Sequence, residues 1–175
     1  KGCCEPDVWS NDFDTGNAKG MTFSNSAGNT KGWQLWSPAF TSKSGKGVLY
    51  YGDKNSQNYN FGKSLGSATT GSIKIPSDVD SELTWDSYLD TESSSTYDGL
   101  WVYIVDGGSK KLIYQKSVSA PKFQSKTWQS HKHSLSPYKG KTIKIEFKFD
   151  TKDGVANSGK GVFIDNLKIT AKCPS

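Results

Sequence analysis

Three kinds of side chain in this 175-residue chain have types and spacings that could do chemistry: two histidines, three cysteines and seventeen acids. His131 and His133 stand one residue apart, so on a strand they would share a face and could offer two ligands to a metal. No third ligand stands beside them, and the expectation is a solvent-exposed pair. A serine or cysteine triad would have to recruit its base from these two, and nothing nearby argues for one. Neither a Gly-x-Ser-x-Gly elbow nor a His-Glu-x-x-His segment is present. Gly140-Lys141-Thr142 lacks the upstream glycine of a phosphate-binding loop, because position 135 is Leu135. A polysaccharide lyase working through a Tyr, Lys or His base leaves no such motif and stays open as an alternative.

The cysteines lie only near the ends: Cys3, Cys4 and Cys173. Zinc knuckles need paired cysteines with a turn between them and a second pair elsewhere, so this is not a zinc pattern. A disulfide from Cys3 or Cys4 to Cys173 would close nearly the whole chain and implies an oxidising compartment.

The acids are better organised. Asp12 and Asp14 sit in Asp12-Phe13-Asp14-Thr15-Gly16. Glu92 and Asp98 flank a Ser-rich stretch, Asp150 and Asp153 follow a strong strand, and Asp165 interrupts the final one. An Asp within an apolar strand is costly to bury unless paired or metal-bound. Calcium takes six to eight oxygens, and loops rich in Asp, Asn, Gly and Thr supply them. The competing reading is that these acids cap turns, which Asp and Asn do for reasons of their own.

The elements that must position these groups read as strands. Leu83–Leu89, Leu100–Val105, Lys111–Gln115, Thr142–Phe149 and Gly161–Ile169 alternate or run apolar, with Gly47–Tyr51, Ser72–Ile75 and Trp128–Ser134 as shorter candidates. In Thr142–Phe149 the residues Ile143, Ile145, Phe147 and Phe149 face inward and Lys144, Glu146 and Lys148 outward. Low aliphatic content, 13% aromatics and 18 glycines favour many short strands over helices. The fold class expected is all-β, a two-sheet antiparallel β-sandwich of jelly-roll type. The first 46 residues read as mostly irregular, pinned by Trp9, Phe13, Phe23, Trp33 and Trp36. No apolar run approaches the roughly 20 residues of a membrane span, so no membrane insertion is expected. No charged-then-apolar leader opens the sequence, so a secretion signal is expected to have been removed or to lie outside it.

Several phrases in order resemble a known family: Asp12-Phe13-Asp14-Thr15-Gly16, Gly47-Val48-Leu49-Tyr50-Tyr51-Gly52-Asp53, Asn58-Tyr59-Asn60-Phe61-Gly62, Phe149-Asp150-Thr151-Lys152-Asp153 and Gly161-Val162-Phe163-Ile164-Asp165-Asn166-Leu167. The series resembles the MAM-like and galactose-binding-like jelly-roll modules of bacterial secreted proteins, such as immune-inhibitor-type metalloproteases and cleaved adhesins. The resemblance implies one module over residues 1–175, excised from a larger secreted or cell-surface protein, with no catalytic centre. It also implies structural calcium, held by Asp14 and Asp165 with Asp12 as a helper. A second metal-binding cluster could gather Asp53, Glu92, Asp98, Asp150 and Asp153. The four-cysteine pattern of eukaryotic MAM domains is missing, so receptor adhesion is not implied.

Sugar-binding modules stack pyranose faces on flat rings. Trp85, Tyr88, Trp101, Tyr103 and Trp128 are the candidate platforms, unless they pack in the sheets. Trp101 and Tyr103 share one strand face and Leu100, Val102 and Ile104 the other, and one set must be core. All 22 basic residues are lysine, which argues against a nucleic-acid partner, where arginine forks dominate. Outward lysines on neighbouring strands could attract an acidic polymer, although a solvated face is the plainer reading. The function expected is a non-catalytic, calcium-stabilised binding module for a polysaccharide or cell-surface glycan. The rivals are an accessory domain that packs on other domains of the same protein, and the lyase.

Overall fold

The computed structural model describes residues 6–38 and 42–173. Twelve strands run in chain order: β1 (Asp7–Asn11), β2 (Thr22–Asn25), β3 (Lys31–Trp36), β4 (Val48–Asp53), β5 (Leu65–Thr69), β6 (Ile73–Lys74), β7 (Ser81–Asp90), β8 (Gly99–Asp106), β9 (Ser109–Gln115), β10 (Trp128–Ser134), β11 (Thr142–Asp150) and β12 (Gly161–Ala171). Ser136–Tyr138 form a single 3-10 turn.

They make two six-stranded antiparallel sheets. The first has the order β10-β7-β12-β4-β3, with β1 also paired to β12; the second has the order β2-β5-β11-β8-β9, with β6 also paired to β11. The two sheets pack as a sandwich because their inner faces are apolar and their outer faces mostly are not. Along β7 the side chains alternate buried and half-buried without a break over ten residues. The β11 alternation expected from sequence is present: Ile143, Ile145, Phe147 and Phe149 are 0–1% exposed. Leu100, Val102 and Ile104 are core, so Trp101 and Tyr103 face outward.

Aromatic rings join the two layers. Phe147 of β11 lies 6.3 Å from Trp33 of β3 and 5.4 Å from Trp85 of β7, and Phe149 lies 4.7 Å from Tyr51 of β4. Large buried rings of this kind contribute most of the area removed from water.

The described part of the first 46 residues is more ordered than its composition suggests. It holds β1, β2 and β3, where the sequence reading placed mostly irregular chain. β2 and β3 are edge strands, and three of the four β2 residues are exposed, so no alternating apolar pattern marks β2. β5, Leu-Gly-Ser-Ala-Thr, also went unread, because small residues suffice where it lies across β11. Of the five expected anchors, Phe13 and Trp33 are each 1% exposed and Trp9 and Trp36 are half-buried, but Phe23, on the edge strand β2, is exposed and anchors nothing.

Candidate functional site

The acids sort into three kinds. Asp165 lies on β12 at a bulge, where Asp165 pairs with Asp86 and Lys168 pairs with Thr84. One extra residue re-aims the strand, and Asn166 takes a φ of +50° there. Asp165 is 0% exposed and accepts backbone N–H bonds from Lys43 (2.9 Å), Ser44 (3.0 Å) and Asn166 (2.7 Å). Asp14 Oδ1 accepts the N–H groups of Lys46 and Gly47, both at 2.7 Å, from the same return loop. Phe13 aims Asp14 at that loop: its φ is +63°, held by its buried ring and by an N–H bond to Asn11 Oδ1. A Cβ on Gly47 would stand 2.0 Å from the Phe13 carbonyl oxygen, so only glycine lets the two chains pass this closely. Burial pushes the Asp165 carboxyl up to about 6, against the pull of its three amide donors and with a small push from Asp14.

No lysine or histidine side chain pairs with Asp165 among the described residues, and Asp14 Oδ2 takes part in none of these bonds. Two carboxylates are thus brought to one loop, one of them buried, with both Asp165 oxygens and Asp14 Oδ1 accepting backbone N–H groups. Asp12 is exposed, and its Oδ1 accepts the Asp14 N–H, so it closes the turn.

Glu92 and Asp98 do come together, but the cation between them belongs to the chain. Lys116 is 3% exposed, and its ammonium donates to the Glu92 carbonyl and, at 3.0 Å, to the Asp98 carbonyl. It lies 4.7 Å over the Phe123 ring. Asp98, 0% exposed, accepts from Tyr59 O–H at 2.5 Å and from the Glu92 N–H. Burial raises the Asp98 carboxyl and pulls Lys116 down to about 8, while their mutual attraction opposes both.

Asp53, Asp150 and Asp153 each accept an N–H from two residues ahead, at 2.8, 2.7 and 2.9 Å. They are turn caps. The expected five-acid cluster therefore does not assemble. Among the described residues no three His, Cys, Asp or Glu side chains gather into a group that could hold a metal ion.

The histidines reverse their expectation. Alternation along β10 turns His131 and His133 inward. His131 is 3% exposed, stacks 3.9 Å from Trp85, meets Tyr114 at 4.6 Å and bonds Ser87 Oγ through Nε2 at 2.8 Å. Burial pulls its pKa down to about 4, helped by His133 and opposed by Asp86. A buried neutral imidazole in the core is not placed to take a proton from a substrate. Cys173 is disulfide-bonded. Its candidate partners Cys3 and Cys4 lie outside the described residues.

The five candidate platforms divide three ways. Trp85 is 1% exposed and belongs to the core, so contrary to expectation it offers no platform. Tyr88 and Trp128 lie on the outer face of the first sheet, 5.6 Å apart. They end an aromatic row that crosses five strands through Phe163, Tyr50 and Trp36, and Tyr50 and Phe163 are fully buried there. Trp101 and Tyr103 lie half-buried on the outer face of the second sheet, opposite Lys148 and Glu146 of β11. The Trp101 ring runs back over Gly99, where a Cβ would stand 2.0 Å from it, so the indole lies along the sheet. Lys148 and Lys152 place their ammonium groups 5.8 and 5.4 Å from its centroid, and Lys110 stands 5.9 Å from the Tyr103 ring. Lys110 also pairs with Glu146 at 2.8 Å.

Of the rim of this platform, Lys148 is among the outward lysines that the sequence offers to an acidic polymer, together with Lys144, Lys168 and Lys74. Lys168 of β12 lies in the other sheet, however, and Lys110 and Lys152 are not marked as a site by the sequence. The outward face of β11 was legible, but its pairing with β8 was not, and only that pairing puts Lys148 beside Trp101. An open cleft of about 570 Å³ lies on the first sheet, with Asp86, Ser130, Lys132, Asn166 and Lys168 among its lining residues. Its charged groups are already paired, Asp86 with Ser130 and Asn166, Lys132 with Glu82 and Lys168 with Asp7, while Trp85 Nε1 and His131 Nδ1 beneath it have no hydrogen-bond partner among the described residues.

No family model matches the chain, and no curated protein matches it. Solved structures share its fold. The xylan-binding domain from Paenibacillus barcinonensis matches over 100% of both chains at 12% identity, with a TM-score of 0.56. A cleaved adhesin domain of Lys-gingipain from Porphyromonas gingivalis covers 94% of this chain and 99% of its own, at 14% identity and a TM-score of 0.59. The N-terminal modules of endo-1,4-beta-D-xylanase 10B from Clostridium thermocellum, complexed with xylohexaose, match 98% of this chain at 11% identity and a TM-score of 0.58. This chain spans 30% of that one. At these identities the likeness is one of fold: an all-β, two-sheet antiparallel sandwich of the kind used by bacterial carbohydrate-binding modules and adhesin domains.

Proposed function

We propose that this chain is a non-catalytic polysaccharide-binding module of a larger secreted or cell-surface protein. The observation that carries the reading is the outer face of the second sheet, where Trp101 and Tyr103 lie half-exposed beside Glu146, Lys110 and Lys148. Flat rings give a pyranose an apolar seat, and a few fixed polar groups at the rim orient its hydroxyls. The relatives in fold, which include a xylan-binding domain and modules complexed with xylohexaose, support this reading.

Calcium belongs to the same reading as a stabiliser, not as part of the binding face. Asp14 and Asp165 would hold it, and backbone carbonyls would complete its oxygen shell. Bound there, the ion would neutralise the buried carboxylate and fasten the return loop to β12.

The test is a glycan array with an insoluble-polysaccharide pull-down, run on the intact chain and on Trp101→Ala. The expected result is retention on at least one polysaccharide by the intact chain and loss of it in the variant, with an unchanged melting temperature. Binding to no polysaccharide would overturn the reading in favour of an accessory domain that packs on its neighbours.

A further inference from the structure

We infer that the Trp101–Tyr103 face takes acidic polysaccharide, a chain bearing carboxylate or sulfate groups, in preference to a neutral one. The inference rests on the proposed binding role of that face.

Four ammonium groups and two carboxylates share the outer face around these rings. Lys144, Glu146, Lys148 and Asp150 point outward from β11 by alternation, and Lys152 follows just beyond the strand. Lys110 reaches in from β9 to pair with Glu146. Asp150 Oδ1 accepts the Lys152 N–H and is occupied in its own turn. None of the ion pairs among the described residues uses Lys144, Lys148 or Lys152. Two of these three stand within 6 Å of the Trp101 ring centre. The face therefore carries excess positive charge over the ring that forms its apolar seat.

A neutral sugar on Trp101 gains nothing from those ammonium groups beyond ordinary hydrogen bonds. An acidic sugar seated on the same ring meets one or two of them at its edge. Each exposed ion pair contributes little alone, so two or three together amount to about tenfold in affinity at low salt. The gain should fall steeply as salt screens it, because the ammonium groups are at the surface. The chemistry favours sugar acids over nucleic acid. Phosphate and base-edge readers rely on the planar arginine fork, and this chain has no arginine.

The experiment compares polymers that differ only in charge: polygalacturonate beside its full methyl ester, and dextran sulfate beside dextran. Binding of the intact chain is measured by affinity electrophoresis at 50 and 500 mM NaCl, with Lys148→Gln/Lys152→Gln and Trp101→Ala as variants and single-stranded DNA as a control polyanion. The expected result is an acidic polymer bound about tenfold more tightly than its neutral partner at low salt and about equally at high salt. The double lysine variant should lose that difference and keep the neutral binding, and Trp101→Ala should lose both. The carboxylate and sulfate arms tell which acid is read. Equal affinity for a polymer and its uncharged partner overturns the inference and leaves polysaccharide binding standing. Failure to bind any of these polymers or any glycan on the array sinks the reading beneath it. Binding that survives Trp101→Ala and is matched by DNA is plain polycation adsorption and overturns the inference as well.

Discussion

Acid should destabilise this fold through His131, and the size of the effect follows from its surroundings. The imidazole lies between Trp85 and Tyr114 at 3% exposure, and its pKa falls from the ordinary 6.5 to about 4. The folded state therefore binds this proton less readily than the unfolded chain does. Its contribution to stability is intact above pH 6.5, falls as pH drops through the window from 6.5 to 4, and is lost below it. Between pH 7.5 and 4.5 the loss comes to about 2.5 kcal/mol. Asp165 works the other way. Its carboxyl is raised from 3.8 to about 6, so its contribution is present below 3.8 and lost as pH rises through 6. A raw pH profile mixes the two, and the useful quantity is a difference between proteins.

His131→Phe keeps a ring on Trp85, removes the proton site and leaves Ser87 Oγ without its bond, at a pH-independent cost of about 1 kcal/mol. Urea unfolding followed by tryptophan fluorescence, with chelator throughout, gives both stabilities at each pH. The wild type should lead at pH 7.5, and the gap should shift by about 2.5 kcal/mol toward the variant by pH 4.5. A gap that stays constant across that range would refute a buried, neutral His131.

Three further outcomes follow from the same geometry. Calcium should raise the melting temperature, and Asp165→Ala should abolish the rise; equal melting with and without chelator would remove calcium from the description. Lys116→Met should cost about 1–3 kcal/mol at neutral pH in urea unfolding, because it leaves the Glu92 and Asp98 carbonyls without their buried donor; a change under about 0.5 kcal/mol, the scatter of a surface substitution, would show that Lys116 is dispensable there. A non-reducing peptide map should find Cys173 linked to one of Cys3 and Cys4, and reduction should cost up to about 4–5 kcal/mol from loop entropy; a free Cys173 thiol would count against the bridge.

What could be read from sequence was whatever repeats with a period of two. Ile143, Ile145, Phe147 and Phe149 announce a half-buried strand by themselves, and β8 and β12 do so nearly as well. β10 does not, because Trp-Gln-Ser-His-Lys-His-Ser offers no apolar series to say which way the histidines turn. The decision was made by β7, whose Trp85 and Leu83 face inward opposite His131 and His133. The same limit applied to the acids. An Asp capping its own turn and an Asp waiting for a metal have the same neighbours in sequence. Only the return of residues 42–47 onto β12 separates Asp165 from Asp53. Lys116 shows the limit most clearly, since nothing in Tyr114-Gln115-Lys116-Ser117 says that its ammonium will sit among carbonyls 18 and 24 residues back.

The antiparallel pairing of β1 with β12 sets how this fold answers a pull. Asp7 lies opposite Thr170, and the Ala171 N–H bonds the Pro6 carbonyl at 3.0 Å, so the start of β1 and the end of β12 emerge side by side. Tension applied through the chain on either side of the two strands loads that ladder from one end. Its hydrogen bonds part in succession, like a zip, instead of sharing the load in shear. A covalent tie across that end would carry the tension past the ladder and leave the sandwich folded.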